Sequence, residues 1–267
     1  MCKTILLTGA TDGIGLATAK MLASKGHHLL IHGRNAEKLM QVENQLKQLP
    51  NVGTIECYLA DFSDLADVKA MAKKIQSLHT SLDVIINNAG VFKVDQPMTK
   101  EGLDVRFVVN TIAPYLLTKQ LLPMMGTESL VINLSSAAQS AVDIDALLGN
   151  TQLSAMDAYA QSKLAITMWT AHLAKLLGGS GPVIIAVNPG SMLASKMVQE
   201  GFGVAGGDIN IGANILTKLA LEDQFSTHSG DYFDNDSGRF SAPHPDGDNH
   251  QKMEQLMTAL NVMVQAQ

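Results

Sequence analysis

The chain has 267 residues, 46% hydrophobic and 16% charged, with a formal net charge of −6 at pH 7. These values exclude wholesale disorder and leave room for one large α/β domain or two small ones. With no basic cluster, nucleic acid is not expected as a partner. Cys2 and Cys57, the only cysteines, give no disulfide framework and fit a reducing compartment.

Short apolar segments alternate with segments of helical periodicity. In chain order the pattern predicts strand 4–7, helix 14–24, strand 28–31, helix 36–49, strand 54–59, helix 65–78, strand 84–86, helix 102–125, strand 131–134, helix 157–177, strand 183–187, helix 210–221 and strand 231–233.

This alternation predicts one doubly wound α/β domain over residues 1–267, with a mostly parallel sheet and helices on both faces. Pro114 is expected to bend the long helix 102–125. Residues 201–208 are expected to be mobile and residues 237–249 irregular. A strand begins almost at the N-terminus and no apolar run reaches about 18 residues, so neither a signal peptide nor a membrane span is expected. A cytoplasmic protein is the default.

A glycine-rich turn, with Gly9, Gly13 and Gly15, lies between the first strand and the first helix. Glycine permits a tight turn and close approach of a pyrophosphate, which the helix N-terminus attracts. The spacing is not the commoner G-x-G-x-x-G, and for this motif alone an ordinary strand-to-helix turn is an equally good interpretation.

Just past the second predicted strand lies Arg34, where a dinucleotide site usually has an acid for the ribose 2′-hydroxyl. Arg34 could pair with a 2′-phosphate instead, which favours NADP(H) over NAD; alternatively it caps or solvates the next helix. Asp61, after the third strand, could accept from an adenine amino group or cap the helix that follows. Ser63 and Asp64 are also candidates for that cap.

Tyr159 and Lys163 share one face of a predicted helix because they are four residues apart. A phenol that exchanges a proton near neutral pH needs its pKa lowered by about 3 units, roughly 4 kcal/mol. A neighbouring ammonium and a positively charged nicotinamide both act in that direction. Taken alone, such a pair is more often a solvated helix face.

Polar residues near the predicted cleft strengthen the functional interpretation. Ser135 and Ser136 end the fifth strand, at the edge where parallel sheets bind ligands, and a hydroxyl there can hold a carbonyl oxygen. Asn110 lies in the preceding long helix, where asparagine costs propensity. It could hold a water near Lys163, or make a buried hydrogen bond to backbone.

The chain resembles the short-chain dehydrogenase/reductase family, and within it the retinol-dehydrogenase-like or protochlorophyllide-reductase-like subgroup. The motifs that carry the resemblance occur in the family's order: turn 8–15, Asn87-Asn88-Ala89-Gly90, Asn110, Ser135-Ser136, Tyr159 with Lys163, and Pro189-Gly190.

The resemblance implies a Rossmann domain and an NADP(H)-dependent enzyme. Tyr159 would be the general acid/base, Lys163 would bind the nicotinamide ribose and lower the tyrosine pKa, Ser136 would orient the carbonyl, and Asn110 would complete a proton relay through water. The cofactor-binding residues implied are Gly9, Thr11, Asp12, Gly13, Ile14, Gly15, Arg34, Asp61, Asn88, Ala89, Gly90, Tyr159, Lys163, Pro189 and Gly190.

Two departures from the family pattern stand out. Residues 138–157 lengthen the interval between Ser136 and Tyr159, and together with residues 191–210 they are expected to bind substrate. The threonine often found after Pro-Gly is missing, so that Ser195 either replaces its contact to the nicotinamide amide or the contact is lost. Met192 and Met197 are expected to form a flexible apolar wall.

The expected substrate is a small-molecule carbonyl or alcohol, lipophilic if the apolar wall meets it. Reduction of a C=C bond and a non-catalytic NADP-binding regulatory role are the alternatives. The helix face formed by Ala165, Met168, Trp169 and His172 fits equally well in the core or in a homodimer or homotetramer contact. No metal site is expected, because no histidines have the spacing H-E-x-x-H and the segment 234–238 matches a calcium loop poorly.

Overall fold

The computed structural model describes residues 2–265, which are built around one eight-stranded sheet. Seven strands are parallel, and the eighth pairs antiparallel at one edge. The strands are β1 Thr4–Leu7, β2 His28–Gly33, β3 Ile55–Leu59, β4 Val84–Asn87, β5 Leu130–Leu134, β6 Val183–Asn188, β7 Tyr232–Asp234 and β8 Arg239–Ser241. Their spatial order is β3-β2-β1-β4-β5-β6-β7-β8. Strands are added in one direction from β1 to β3 and in the opposite direction from β4 onward, and this switch point between β1 and β4 opens a crevice at the carboxyl ends of the strands.

Helices cover both faces of the sheet. They are α1 Gly13–Ala23, α2 Ala36–Lys47, α3 Leu65–Leu78, α4 Val105–Phe107, α5 Ala113–Leu121, α6 Ile144–Leu147, α7 Ala155–Leu177, α8 Lys196–Phe202, α9 Ile209–Leu221 and α10 His250–Gln265. Buried residues of α1, α2 and α9 form one core, and those of α3, α5, α7 and α10 form the other. Successive strand residues point to opposite cores, so that Ile5 and Leu7 enter the first and Leu6 the second. The predicted doubly wound α/β sheet is confirmed.

The long helix predicted for residues 102–125 is interrupted. It begins as α4 at Val105, passes through a π-helical turn at Val108–Ile112 and continues as α5 to Leu121. The irregularity precedes Pro114, which occupies the first turn of α5, where a proline is tolerated. Because Pro114 has no N–H, it cannot close the α-helical hydrogen bond to the carbonyl of Asn110.

The C-terminal region differs most from the prediction. Residues 237–249 were expected to be irregular, but they contain β8 and a 3₁₀ turn at Pro245–Asp248. Helix α10 has no counterpart among the predicted elements. It packs against α7, with Leu256 and Leu260 fully buried.

The apolar face of α7 belongs to the core. Ala165, Met168 and Trp169 are at most 1% exposed, and the Trp169 ring packs 5.5 Å from that of Tyr115. Of the two interpretations of this face, the structure supports core packing.

Among the described helices, none has both the length and the apolar composition that crossing a bilayer requires.

Candidate active site

A cleft of about 490 Å³ opens at the carboxyl ends of the central strands. It brings together residues from the N-terminal turn, the ends of β2, β3 and β4, helix α7 and the loop after β6. Those that the sequence predicted and that line it are Gly9, Thr11, Asp12, Gly13, Ile14, Gly15, Arg34, Asp61, Asn88, Ala89, Gly90, Tyr159, Lys163, Pro189, Ser195 and Met197. Asn110, Ser136 and Gly190 are not on its wall.

The glycine-rich turn is held in place by Asn88. Its side-chain amide donates to the carbonyls of Thr8, at 2.8 Å, and Gly9, at 3.0 Å. Gly9 has φ +66° and Gly13 φ +52°, values that favour glycine. A Cβ at Gly15 would overlap the carbonyl oxygen of Gly9 and lie 2.5 Å from the Asn88 amide nitrogen. Only glycine therefore allows α1 to start so close to the turn.

Arg34 and Asp61 both line the cleft, and neither is a helix cap. Asn35 caps α2 by accepting from the Lys38 N–H at 2.9 Å, which leaves the exposed Arg34 at the rim. Asp64 caps α3, as the sequence allowed. The carboxylate of Asp61 accepts from the backbone and hydroxyl of Ser63 through one oxygen.

Tyr159 and Lys163 lie beside each other in the cleft. The Tyr159 side chain is hydrogen-bonded to that of Ser136. The Lys163 ammonium lies 5.6 Å from the centre of the tyrosine ring and donates to the carbonyl of Leu134 at 2.7 Å. The Phe92 ring packs against Tyr159, 5.1 Å between centres. The structure thus brings together the phenol, ammonium and hydroxyl that were predicted to meet.

Burial moves the pKa values of this pair in opposite directions. It raises the pKa of Tyr159, and the hydrogen bond with Ser136 opposes part of that rise. It lowers the pKa of Lys163 from 10.5 to about 8. For Tyr159 this is the reverse of the lowering expected from the sequence, because desolvation of the phenolate dominates in the polypeptide itself.

The two serines after β5 have different partners. The Ser135 hydroxyl turns into the protein, where it bonds the carbonyl of Lys163 at 2.9 Å and the Thr167 hydroxyl at 2.7 Å. Ser136 is the serine that reaches Tyr159. Its carbonyl accepts from the Tyr232 hydroxyl at 3.1 Å and the Gln139 amide at 2.9 Å. Sequence reasoning missed these last two residues, because neither belongs to a local motif.

The Asn110 side chain bonds the backbone, as the simpler of its two interpretations held. It accepts from the Val91 N–H at 2.8 Å and donates to the Val91 carbonyl at 3.0 Å. It also donates to the Ser162 hydroxyl at 3.0 Å. Asn110 therefore fixes the strand-end segment that carries Gly90 relative to the helix that carries Tyr159.

The loop after β6 is anchored by the turn between β7 and β8. Asp236 accepts from the amide of Asn188 at 2.9 Å, from the Ser191 N–H at 2.8 Å and from the Ser191 hydroxyl. Burial alone would raise the pKa of Asp236, but hydrogen bonds from Ser191 and Asn188 lower it. Ser195 lines the cleft and caps α8. The turn at 234–238, whose sequence matches a calcium loop poorly, therefore positions a wall of the cleft.

Away from the cleft, the structure brings together three residues that the sequence analysis did not connect. His28 Nε2 lies 2.8 Å from one oxygen of Glu56, and His79 Nε2 lies 3.2 Å from the other. The expectation that the histidines form no metal site stays a prediction, although two of them flank one glutamate. They are 51 positions apart, so no sequence spacing signals their contact.

Comparison with known proteins establishes the family. Residues 3–202 match the family model described as short chain dehydrogenase. The chain belongs to the short-chain dehydrogenase family. This membership places it among the oxidoreductases and confirms the resemblance seen in the sequence.

Several curated relatives are retinol dehydrogenases, which confirms the retinol-dehydrogenase-like subgroup. The chain is 31% identical to human retinol dehydrogenase 13 over 260 residues, 90% of this chain and 78% of that protein. It is 35% identical to human polyprenol dehydrogenase over 198 residues, which are 70% of this chain and only 60% of the length of that relative.

Solved structures share the fold. A putative uncharacterized protein from Mycobacterium paratuberculosis superposes with a TM-score of 0.81 at 24% identity, over 98% of this chain and 93% of that one. A metagenomic short-chain oxidoreductase in complex with NADP has a TM-score of 0.63 at 27% identity, over 82% and 90% of the two chains. The predicted single Rossmann domain is confirmed.

Proposed function

We propose that this protein is an NADP(H)-dependent oxidoreductase that interconverts a carbonyl and an alcohol, with Tyr159 as the general acid/base. The observation that carries the proposal is the hydrogen bond between the Tyr159 and Ser136 side chains, next to the Lys163 ammonium. Tyr159 and Lys163 line one end of a cleft whose other end is the glycine-rich turn.

The cleft fits NADP(H) in shape and charge. The glycines of the turn leave room for a pyrophosphate at the start of α1, where unpaired backbone N–H groups favour an anion. Arg34 supplies a cation at the rim, at the place where a 2′-phosphate needs one. The metagenomic oxidoreductase that shares this fold was solved as a complex with NADP. When bound, the cofactor supplies or accepts a hydride.

Each polar residue then has one task. Tyr159 gives a proton to the carbonyl oxygen during reduction and takes it from the alcohol during oxidation. Ser136 holds that oxygen beside the phenol. Lys163 favours the phenolate by its charge. We assign a water-holding role to the Asn110 carbonyl rather than to its side chain, because Pro114 cannot close the helical hydrogen bond to that carbonyl.

The substrate we propose is a lipophilic carbonyl or alcohol. Four large apolar side chains in the two segments expected to bind substrate are exposed: Leu148 by 38%, Met156 by 40%, Met192 by 42% and Val204 by 43%. Exposed apolar groups in substrate-binding segments suit an apolar ligand. Two relatives are named for lipophilic alcohols, polyprenol and retinol.

The Tyr159→Phe variant tests the general acid/base. It removes the hydroxyl and leaves the ring packed against Phe92, so that turnover of any accepted carbonyl should fall by about 10²–10⁴. The assay follows NADPH absorbance over a panel of carbonyls, with NADPH binding measured separately as the control for folding. Unchanged turnover with intact binding would refute the role of the phenol.

The Ser136→Ala variant separates carbonyl reduction from reduction of a C=C bond. A carbonyl reductase should lose about 10-fold or more in kcat/KM, because the substrate oxygen loses one of its two hydrogen bonds. A C=C reductase does not need that hydroxyl. Ser135→Ala is not a neutral control, because Ser135 bonds the backbone of Lys163.

The Arg34→Ala variant tests cofactor choice. The wild-type protein should bind NADPH more tightly than NADH. The variant should lose about 10-fold or more of its NADPH affinity, because a charged hydrogen bond to the 2′-phosphate contributes about 1.5–3 kcal/mol. Its affinity for NADH, which has no 2′-phosphate, should change little. Arg239→Ala, at an exposed arginine of β8, is the matched control. A wild-type preference for NADH would contradict the assignment.

A further inference from the structure

A compact group of metal-ligating side chains lies at the amino-terminal end of the sheet, opposite the cofactor cleft. His28 is the first residue of β2, Glu56 the second residue of β3, and His79 follows the last residue of α3. We call these three residues the His28–Glu56–His79 cluster. Glu56 stands five positions before Asp61, about 16 Å at the rise of a strand. The cluster is therefore separate from the site described above.

The ligand atoms of the cluster converge on one point. One ring nitrogen from each histidine and one carboxylate oxygen lie within 4.8 Å of one another. His28 Nε2 lies 2.8 Å from one oxygen of Glu56, and His79 Nε2 lies 3.2 Å from the other. In a tetrahedral zinc site, bonds of 2.0–2.1 Å place neighbouring ligand atoms about 3.3 Å apart. A side-chain rotation that presents one carboxylate oxygen to both nitrogens would therefore admit an ion.

We propose that the His28–Glu56–His79 cluster binds one divalent transition-metal ion, for which Zn²⁺ is the best fit. Two imidazoles and one carboxylate are a known zinc ligand set, completed by a water in the fourth position. A mixed nitrogen and oxygen set disfavours Mg²⁺ and Ca²⁺, which prefer oxygen alone. Each imidazole would carry its proton on Nδ1 and coordinate through Nε2.

The surroundings of the cluster support an ion. The Tyr58 hydroxyl donates to Glu56 at 3.1 Å and so orients that ligand, whereas its 2.9 Å contact with His79 Nε2 would be replaced by the ion. Such outer contacts commonly position metal ligands.

Zn²⁺ at this site would link strands β2 and β3, which are already paired in the sheet, to the end of α3. Strand β3 is an edge strand of the sheet, and His79 lies just beyond the end of α3. Coordination would tie the amino ends of β2 and β3 to that helix end. The consequence is stabilisation of this edge of the sheet, without a direct effect on hydride transfer.

The experiment titrates Co²⁺, then Zn²⁺, into the tag-free full-length protein at pH 7.5, where an ordinary imidazole is neutral. We expect visible Co²⁺ absorption that saturates at one equivalent and disappears when Zn²⁺ displaces the ion. Saturating Zn²⁺ should raise the Tm by about 5 °C relative to protein with chelator. Absence of saturable one-to-one binding would overturn the proposal.

Ligand variants locate the ion. His79→Gln and Glu56→Gln should each weaken Co²⁺ binding by about 100-fold or more and abolish the Zn²⁺-dependent rise in Tm. His250→Gln removes an exposed histidine that also faces a glutamate, Glu254 at 3.8 Å, and should change neither quantity. Equal binding by the wild-type protein and His79→Gln would show that the ion sits elsewhere.

Two more variants keep the test decisive. Tyr58→Phe retains all three ligands and should bind Co²⁺ about 10-fold more weakly. If the ligand variants do not fold, unchanged affinity in Tyr58→Phe would overturn the proposal. Cys2→Ser with Cys57→Ser removes the thiols and should leave binding intact. Loss of binding in that double variant would assign the ion to cysteine instead.

Discussion

Replacing Lys163 by methionine should abolish turnover and yet make the folded protein more stable at pH 7. Lys163 is 4% exposed, and burial lowers its pKa from 10.5 to about 8. The ammonium is therefore less stable in the folded chain than in the unfolded one. Methionine has nearly the same length and carries no charge to desolvate.

The magnitude follows from the pKa values. At 1.36 kcal/mol per pH unit, the change from 10.5 to about 8 costs the folded state about 3 kcal/mol at pH 7. Methionine also loses the charged hydrogen bond to the Leu134 carbonyl, which contributes about 1.5–3 kcal/mol. The free energy of unfolding of Lys163→Met should thus exceed that of the wild-type protein by up to about 1.5 kcal/mol.

The sign of the pH dependence provides the sharpest check. The cost of the buried ammonium is fully present below pH 8 and disappears as pH rises from about 8 to 10.5, since the folded state loses its proton first. Urea unfolding at pH 7 and pH 10 should therefore show the advantage of Lys163→Met shrinking. Lys175→Met, at an exposed lysine of the same helix, is the control. A variant less stable than wild type by the same amount at both pH values would refute the reasoning.

Two further substitutions test the walls of the cleft. Gly15→Ala places a Cβ against the Gly9 carbonyl. It should weaken NADPH binding by at least about 10-fold and lower the free energy of unfolding by about 1–3 kcal/mol. Gly126→Ala is the control: a Cβ there meets nothing within 4 Å, so the free energy of unfolding should change by less than about 0.5 kcal/mol. Asp236→Ala removes the acceptor that holds Asn188 and Ser191, so that the KM for cofactor or substrate should rise a few-fold with a smaller change in kcat; an unchanged KM would mean that the loop after β6 holds its shape unaided.

The central sheet could be predicted because its strands are short, apolar and buried on both faces. The helix bounds were also close, since Asp64 begins α3 and Pro50 follows α2. Helix α10 was missed because its mixed polar surface gave no predicted boundary. The residues that this helix buries can be identified only when its contact with α7 is known.

The candidate site was predictable where its residues sit in local motifs. Tyr159 and Lys163 share one helix face, and the glycines of the turn lie close together in the sequence. Tyr232, which holds the backbone of Ser136, comes from a strand 96 positions away. Contacts across such separations depend on the folded topology, and neither propensity nor spacing encodes them. The contact between His28 and His79 was hidden for the same reason.

The four residues 88–91 have a mechanical consequence for the whole cleft. At one end Asn88 is hydrogen-bonded to the glycine-rich turn. At the other end Val91 is hydrogen-bonded to Asn110, which also donates to Ser162 on the helix of Tyr159. Residues 88–91 thus set the distance between the glycine-rich turn and the helix that carries Tyr159. Residues 191–208 are not part of this connection, so that substitutions there can change the substrate pocket without moving Tyr159 relative to the glycine-rich turn.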